Sequence, residues 1–242
     1  MQIGGGKLYK LFGILNITPD SFSDGGKFLS VDEAINQANI LFEDGADYID
    51  IGAQSTRPGA EIISAEEELR RLKNILPHIT LPFSIDTFYP EVAEYAVSEG
   101  AEIINCVKPD ALPDMFKIAR RYNLPVIAVH NEPCGKDVVA DVKRFFKRIK
   151  YDYQNIIFDV GFGFQKDNKQ NLQLLNHLEL LAEFEPMVGL SRKRFVGYLT
   201  GEEIPDERDQ TGAVLGAICL VKGAKYLRVH NVEVTEEVLE IF

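Results

Sequence analysis

The sequence predicts a closed (β/α)8 barrel, the TIM-barrel class of α/β fold, and three observations carry that prediction. Eight short apolar runs alternate with amphipathic segments along the whole chain. The runs are rich in Ile, Val, Leu and Phe and nearly continuous, as parallel strands buried on both faces require. No G-x-G-x-x-G follows the first run, which weighs against an open doubly wound sheet; GFGFQK at 161–166 resembles that fingerprint only loosely and lies after the sixth run. No Pro/Ser linker, charge block or low-complexity stretch interrupts the alternation, so residues 1–242 are expected to form one domain.

The first strand is YKLFGILNI (9–17). It stops at Asn16 and gives way to Thr-Pro-Asp-Ser-Phe-Ser-Asp-Gly-Gly, whose hydroxyls, carboxylates and lone aromatic suit either a loop over a polar ligand or a plain connector. Ser30 then precedes VDEAINQANILFEDG, with Glu33 in capping-box position and Gly45 as a stop. After the strand YIDIGA (48–53), Ser64 with Glu67 repeats the capping box before a helix running to about Leu76. PFSID (82–86) is followed by a helix that Pro90 opens and Gly100 closes. EIINCV (102–107), PVIAVH (125–130), NIIFDV (155–160), PMVGLS (186–191) and KYLRVH (225–230) complete the strands, with helices expected at about 111–122, 137–149, 168–183, 208–222 and 233–241.

Bulk properties narrow the function. With 26 basic against 37 acidic residues the net charge is −11, which argues against nucleic acid or an anionic membrane as partner but leaves room for a small anion in a local cationic pocket. Cys106, Cys134 and Cys219 are odd in number and lack ligand-like spacing, so reduced thiols and no structural zinc are expected. The leading MQIGGGKLYK lacks the apolar core of a signal peptide, and no stretch approaches the ~18 apolar residues of a membrane span. The expectation is a cytoplasmic protein without a membrane partner.

In this fold, active sites lie at the carboxyl ends of the strands. Those ends carry Asn16, Asp50 with Gln54, Asp86, Asn105, His130, Asp159, Ser191 with Arg192 and Lys193, and Arg228 with His230. One polar strand end merely begins a loop; such residues on all eight point to a ligand site. Arg57, Arg228 and His230, with Lys193 beside them, form a cationic group that fits a phosphate or diphosphate, and Asn16, Ser55 and Thr56 add hydrogen-bonding groups. The competing reading is that Arg57 and Arg228 pair with carboxylates at the rim. Asp86, Asn105 and Asp159 form a second group, suited to the edge of a flat nitrogen heterocycle, because buried carboxylates need N–H donors or a cation such as Lys193. Asp50 is read as structural, satisfying backbone near the rim. Phe162 and Phe164 are candidates to face a planar ring, with core packing the alternative for Phe162.

Taken together, GILNITPDSFSDGG, IDIGAQSTRPGA, FSIDT, IIN, FDVGFGFQK, GLSRKRFVG and LRVH resemble, in order, the motifs of the dihydropteroate synthase family, over about residues 10–240. The first two are long and specific. The resemblance implies a (β/α)8 barrel, a homodimer, and condensation of 6-hydroxymethyl-7,8-dihydropterin diphosphate with 4-aminobenzoate to 7,8-dihydropteroate and pyrophosphate, with Mg2+ as cofactor. It implies that Asp86, Asn105, Asp159, Lys193 and Phe164 hold the pterin, while Asn16, Thr56, Arg57, Arg228 and His230 hold the diphosphate and Asn16 also reaches Mg2+. Phe22, Pro58, Phe164 and Lys193 would shape the aminobenzoate pocket, Asp86, Lys193 and Arg57 would act in catalysis, and the PDSFSDGG and STRPG loops would close over the site.

Several positions depart from the family pattern. Gln54 stands where Glu is common, Cys106 replaces an Asp, HNEP (130–133) differs from a His-Met-x-Gly-Thr-Pro-like segment, Val160 replaces a Pro, and Asn231 follows His230 where Asp is common. Three of these changes remove a carboxylate, so local charge balance is expected to differ. The short stretch before the first strand leaves little room for a hairpin across the barrel bottom. Two other readings share the pterin contacts: a pterin-binding paralogue without synthase activity, which would not need Thr56, Arg57, Arg228 and His230, and a methyltetrahydrofolate-binding methyltransferase-type barrel, which should lack the STRP and RVH set. An unrelated phosphate-binding aldolase or isomerase barrel finds no Schiff-base lysine or Glu/His pair to recommend it.

Overall fold

The structure, a computed structural model, describes residues 7–17, 30–54 and 62–240. Its eight strands are all parallel and close in sequence order into a barrel. They are β1 (Lys10–Asn16), β2 (Tyr48–Gly52), β3 (Phe83–Asp86), β4 (Ile103–Cys106), β5 (Val126–Val129), β6 (Ile156–Asp159), β7 (Met187–Val188) and β8 (Tyr226–Val229). The register aligns the polar strand ends: Asn16 lies beside Gly52, Asp50 beside Ser84, Asp86 beside Asn105, and Asp159 beside Met187. Closure comes from β8 against β1, with Arg228 beside Phe12.

The helices are α1 (Val31–Glu43), α2 (Ala65–Leu72), α3 (Pro90–Ser98), α4 (Leu112–Tyr122), α5 (Val138–Asp152), α6 (Asn168–Asn176), α7 (Arg194–Thr200), α8 (Asp209–Val221) and α9 (Val232–Leu239). At α1 the capping box forms in full between Ser30 and Glu33. At α2 only half of it forms: Ser64 accepts from the Glu67 N–H, but the Glu67 carboxylate takes Arg70 and Arg71 instead of reaching back. A charged partner within one turn outcompetes a neutral backbone N–H for a carboxylate.

Three regions differ from the sequence expectation, the first being α2, which ends at Leu72 instead of about Leu76, where a separate 3-10 turn, Leu76–His78, begins. The helix expected over 168–183 stops at Asn176, and the chain continues as a 3-10 helix from Leu178 to Phe184. This tighter winding buries Leu178, Leu181 and Phe184, and Phe184 packs edge-on against Phe146 and Phe158. The seven-residue α7 was not expected at all; RFVGYLT spans only two turns, too few for a helical period to stand out. Strand β7 is likewise two residues, because Gly189 and Leu190 turn into the Ser191–Lys193 corner.

Outward-facing strand residues and inward helix faces make one apolar layer around the barrel, including Ile49, Ile51, Phe83, Ile85 and Phe146, while Phe12 lies inside the barrel against Tyr48 and Tyr226. Among the described residues no helix is long and apolar enough to cross a membrane.

Candidate active site

Alternation along the strands selects the residues that enter the barrel. On β2, Ile49 and Ile51 face the helices and Asp50 faces inward; on β3, Ser84 and Asp86 share the inward side. Asp50 is wholly buried and holds three side chains from three other strands. Ser84 Oγ donates to its Oδ1 at 2.5 Å, Asn105 Nδ2 donates to its two oxygens at 3.3 and 3.1 Å, and Arg228 Nε donates to Oδ2 at 2.5 Å. The expectation that Asp50 satisfies backbone near the rim is therefore corrected: its partners are side chains, and they belong to the candidate site.

Arg228 also donates from Nη2 to Asp86 Oδ2 at 2.8 Å. It thus stands among the heterocycle-facing residues rather than on a separate cationic wall, and its carboxylate partners lie in the barrel interior rather than at the rim. Burial works against its charge, yet Asp50 and Asp86 hold its pKa above the ordinary value. Two acceptors are left over. Asp86 Oδ1 and Asn105 Oδ1 are buried without a hydrogen-bond partner. Such groups cost about 1–3 kcal/mol each if nothing meets them, so this is where a donor-rich ligand gains most. Burial pushes the Asp86 pKa up to about 7, against the pull of Arg228.

Asp159 closes the other side. Its Oδ1 accepts the Gly161 N–H at 2.7 Å. Burial raises its pKa while the charge of Lys193 opposes the rise. Lys193 Nζ donates to the Phe162 carbonyl at 2.5 Å and lies 4.7 Å over the Phe164 ring. Burial lowers the Lys193 pKa to about 8, with Asp159 opposing. Phe162 is fully buried and stacks on Phe195, so it belongs to the core; Phe164 is half-buried at the mouth.

Around these, His230 and Asn16 occupy neighbouring strand ends. The Ser191 hydroxyl accepts the His230 N–H at 3.1 Å and lies 3.0 Å from His230 Nδ1. Asn16 ends β1, half-buried. Arg192 is held in the left-handed region (φ +59°) by ion pairs to Asp206 and Asp209, so it anchors the corner that carries Lys193. Phe22, Thr56, Arg57 and Pro58 lie outside the described residues.

His130 proves to be a support rather than a mouth residue. Lys166, 9% exposed, donates to the carbonyls of Gly161, Phe164 and His130 and lies 2.9 Å from His130 Nδ1. An ammonium has only donors, so Nδ1 accepts and His130 is neutral; burial and then the Lys166 charge push its pKa down to about 3. Gly161 makes the fit possible: at φ +67°, a Cβ there would lie 2.0 Å from the His130 carbonyl oxygen. Sequence reasoning missed Lys166, Ser84 and the reach of Asp50. The alternation in YIDIG and FSID was the available signal for the last two.

The departures from the family pattern also find partners. Gln54 Nε2 donates to Glu68 Oε2 at 3.2 Å, and its Oε1 accepts the Ile63 N–H at 2.9 Å. Glu68 is wholly buried, and burial raises its pKa to about 7. The buried Cys106 thiol, pushed up to about 12 by burial, donates to the Lys108 carbonyl, and Lys108 Nζ sits 3.3 Å over the Phe88 ring. Asn231 caps α9 by accepting the Val234 N–H.

Comparison with known proteins agrees with this fold. Residues 12–230 match the family of pterin binding enzymes. The chain is 39% identical to the dihydropteroate synthase of Bacillus subtilis over 92% of this chain and 84% of that protein. A Xanthomonas albilineans dihydropteroate synthase solved with 4-aminobenzoic acid superimposes with a TM-score of 0.88 at 40% identity, covering 97% of this chain and 93% of that one. The same enzyme in complex with 7,8-dihydropteroate gives 0.84 at 38% identity, with the same coverage. On the family match over residues 12–230 and these identities across nearly the whole chain, the chain belongs to the dihydropteroate synthase family of pterin-binding enzymes.

Proposed function

We propose that this chain joins 6-hydroxymethyl-7,8-dihydropterin diphosphate to 4-aminobenzoate, releasing pyrophosphate and 7,8-dihydropteroate, with the pterin seated on Asp86, Asn105, Asp159, Lys193 and Phe164. The observation that carries the reading is the pair of buried, partnerless acceptors, Asp86 Oδ1 and Asn105 Oδ1. A pterin presents an amino group and a ring N–H along one edge, two donors for two acceptors.

In this reading Arg228 and His230, with Asn16, Thr56 and Arg57, take the diphosphate. The carbon–oxygen bond at the pterin methylene breaks, the electron pair leaves with pyrophosphate, and the methylene gains carbocation character. Arg228 and Arg57 stabilise the negative charge; Asp86 and the polarised ring stabilise the positive charge. The neutral amine of 4-aminobenzoate, in a pocket shaped by Phe22, Pro58, Phe164 and Lys193, forms the carbon–nitrogen bond and loses a proton. No strong general base is needed, because the amine attacks uncharged.

Mg2+ keeps several waters and is commonly held by one or two protein oxygens together with substrate phosphates, a demand that a single strand-end amide oxygen suits. The amide oxygen of Asn16 would hold it, and when bound it supplies positive charge to the leaving diphosphate. A homodimer accords with an apolar stripe on α8, where Val214 (45% exposed), Ile218 (41%) and Val221 (72%) follow at helical spacing; Tyr198 and Leu199 of α7 are exposed as well. Three free cysteines accord with a cytoplasmic setting.

The test is to incubate the protein with Mg2+ and the pterin diphosphate, with and without 4-aminobenzoate, and to follow pyrophosphate and dihydropteroate. Joint appearance of both products supports the synthase. Pterin binding without turnover transfers the assignment to the non-catalytic paralogue, and absence of pterin binding ends both.

A further inference from the structure

We infer that Asp50 is a positioning residue that sets the polarity of the pterin floor: it holds the Asn105 amide so that its carbonyl oxygen, and not its amino group, is left for the ligand. The inference rests on the reading of the site given above. A side-chain amide is nearly symmetric in shape, so packing alone leaves its oxygen and nitrogen interchangeable. A carboxylate removes that freedom, because it has acceptors only. Asp50 is wholly buried, and each of its oxygens lies within 3.3 Å of Asn105 Nδ2. The opposite orientation would set the Asn105 oxygen against that carboxylate, burying like partial charges together.

The other contacts of Asp50 fix it in place. Ser84 Oγ and Arg228 Nε each donate to it at 2.5 Å, one to each oxygen. Arg228 continues to Asp86 Oδ2, so the same network that turns the Asn105 carbonyl toward the mouth also uses up one oxygen of Asp86 and leaves the other. Asp86 and Asn105 are register partners on adjacent strands. Two acceptors then stand side by side, and the floor accepts a heterocycle edge with two adjacent N–H donors while rejecting one with an acceptor in either position. Asp50 does this without touching the ligand.

The exchange of the two side chains tests the idea. Binding of 6-hydroxymethylpterin, which lacks the diphosphate, is measured by calorimetry on the purified full chain. Asp50→Asn frees the Asn105 amide to turn and is expected to weaken binding about tenfold or more. Asn105→Asp sets two carboxylates face to face and is expected to do the same. The double variant reverses the pair instead of adding a second defect. D50N with N105D lets the relocated amide donate to the relocated carboxylate, whose second oxygen faces the ligand, and binding is expected within about threefold of the unaltered chain. A purely structural role for Asp50 predicts two losses that add, with no rescue. The inference is overturned by D50N binding as tightly as the unaltered chain, or by a double variant that fails to fold or binds no better than the weaker single variant. If D50N alone does not fold, the double variant decides by the same criterion. An unaltered chain that binds no pterin and releases no pyrophosphate overturns the reading of the site instead.

Discussion

At the scale of single residues, the site is built from charges that are kept inside the barrel by one another. Asp86 has one oxygen on Arg228 and one without a partner. Asp86→Asn removes the charge that meets the pterin donors, and a charge-assisted hydrogen bond of about 1.5–3 kcal/mol predicts a loss of roughly 10- to 150-fold in kcat/KM for pterin diphosphate. Steady-state kinetics checks it, with 6-hydroxymethylpterin binding falling in parallel. Lys193 gives a pH prediction. Burial has lowered its pKa to about 8, so the ammonium that the site uses below that pH is lost as the pH rises through it. The kcat/KM for pterin diphosphate is therefore expected to fall above about pH 8, and Lys193→Arg, charged throughout, is expected to remove that limb from the pH profile at a lower absolute rate.

At the scale of elements, the segment after β6 shows how a loop is made rigid. Lys166 Nζ lies within hydrogen-bond distance of three carbonyls and His130 Nδ1, four acceptors that share its three N–H protons. Lys166→Met strands those acceptors, and a loss of about 2–4 kcal/mol of unfolding free energy is expected in urea titrations, together with weaker pterin binding because Asp159 and Phe164 flank the same loop. Gly161→Ala attacks the same place through backbone: the left-handed conformation and a Cβ 2.0 Å from the His130 carbonyl oxygen predict a loss of at least about 3 kcal/mol, measured the same way. These elements also mark what could be read in advance. The strands were legible because parallel buried strands are continuous apolar runs, and α1 was legible because Ser30, Glu33 and Gly45 act on their immediate neighbours. The end of α6 at Asn176 was not, since NLQLLNHLELLAEF keeps an apolar period across the change to 3-10 winding, which packing of Phe184 on Phe146 and Phe158 decides. Lys166 was not legible either: nothing local tells a loop lysine that donates into its own loop from one that faces solvent.

At the scale of the whole molecule, a barrel with its chemistry at one mouth leaves the outer helical layer available for assembly. Val214 and Ile218 of α8 are exposed and one turn apart. Replacing them by Glu and Lys is expected to convert the proposed dimer into monomers in sedimentation analysis while leaving the far-ultraviolet circular dichroism of the barrel unchanged, since neither side chain is needed by the core. A dimer that survives both charges would place the interface elsewhere.

The order of eight strands, their burial and the polar character of their carboxyl ends were determined by the sequence itself, because hydrophobic period and capping are local properties that neighbours along the chain express. Which charges meet was decided only by the tertiary structure. Asp50 and Arg228 lie 178 positions apart, yet share a hydrogen bond because barrel closure turns both side chains into the same interior. Asp50 sits mid-strand in a run whose composition says only that it is buried. Its role as the residue that aligns Asn105 and Arg228 follows from distances that no window along the chain contains, since a buried charge takes its meaning from whatever the fold brings within reach of it.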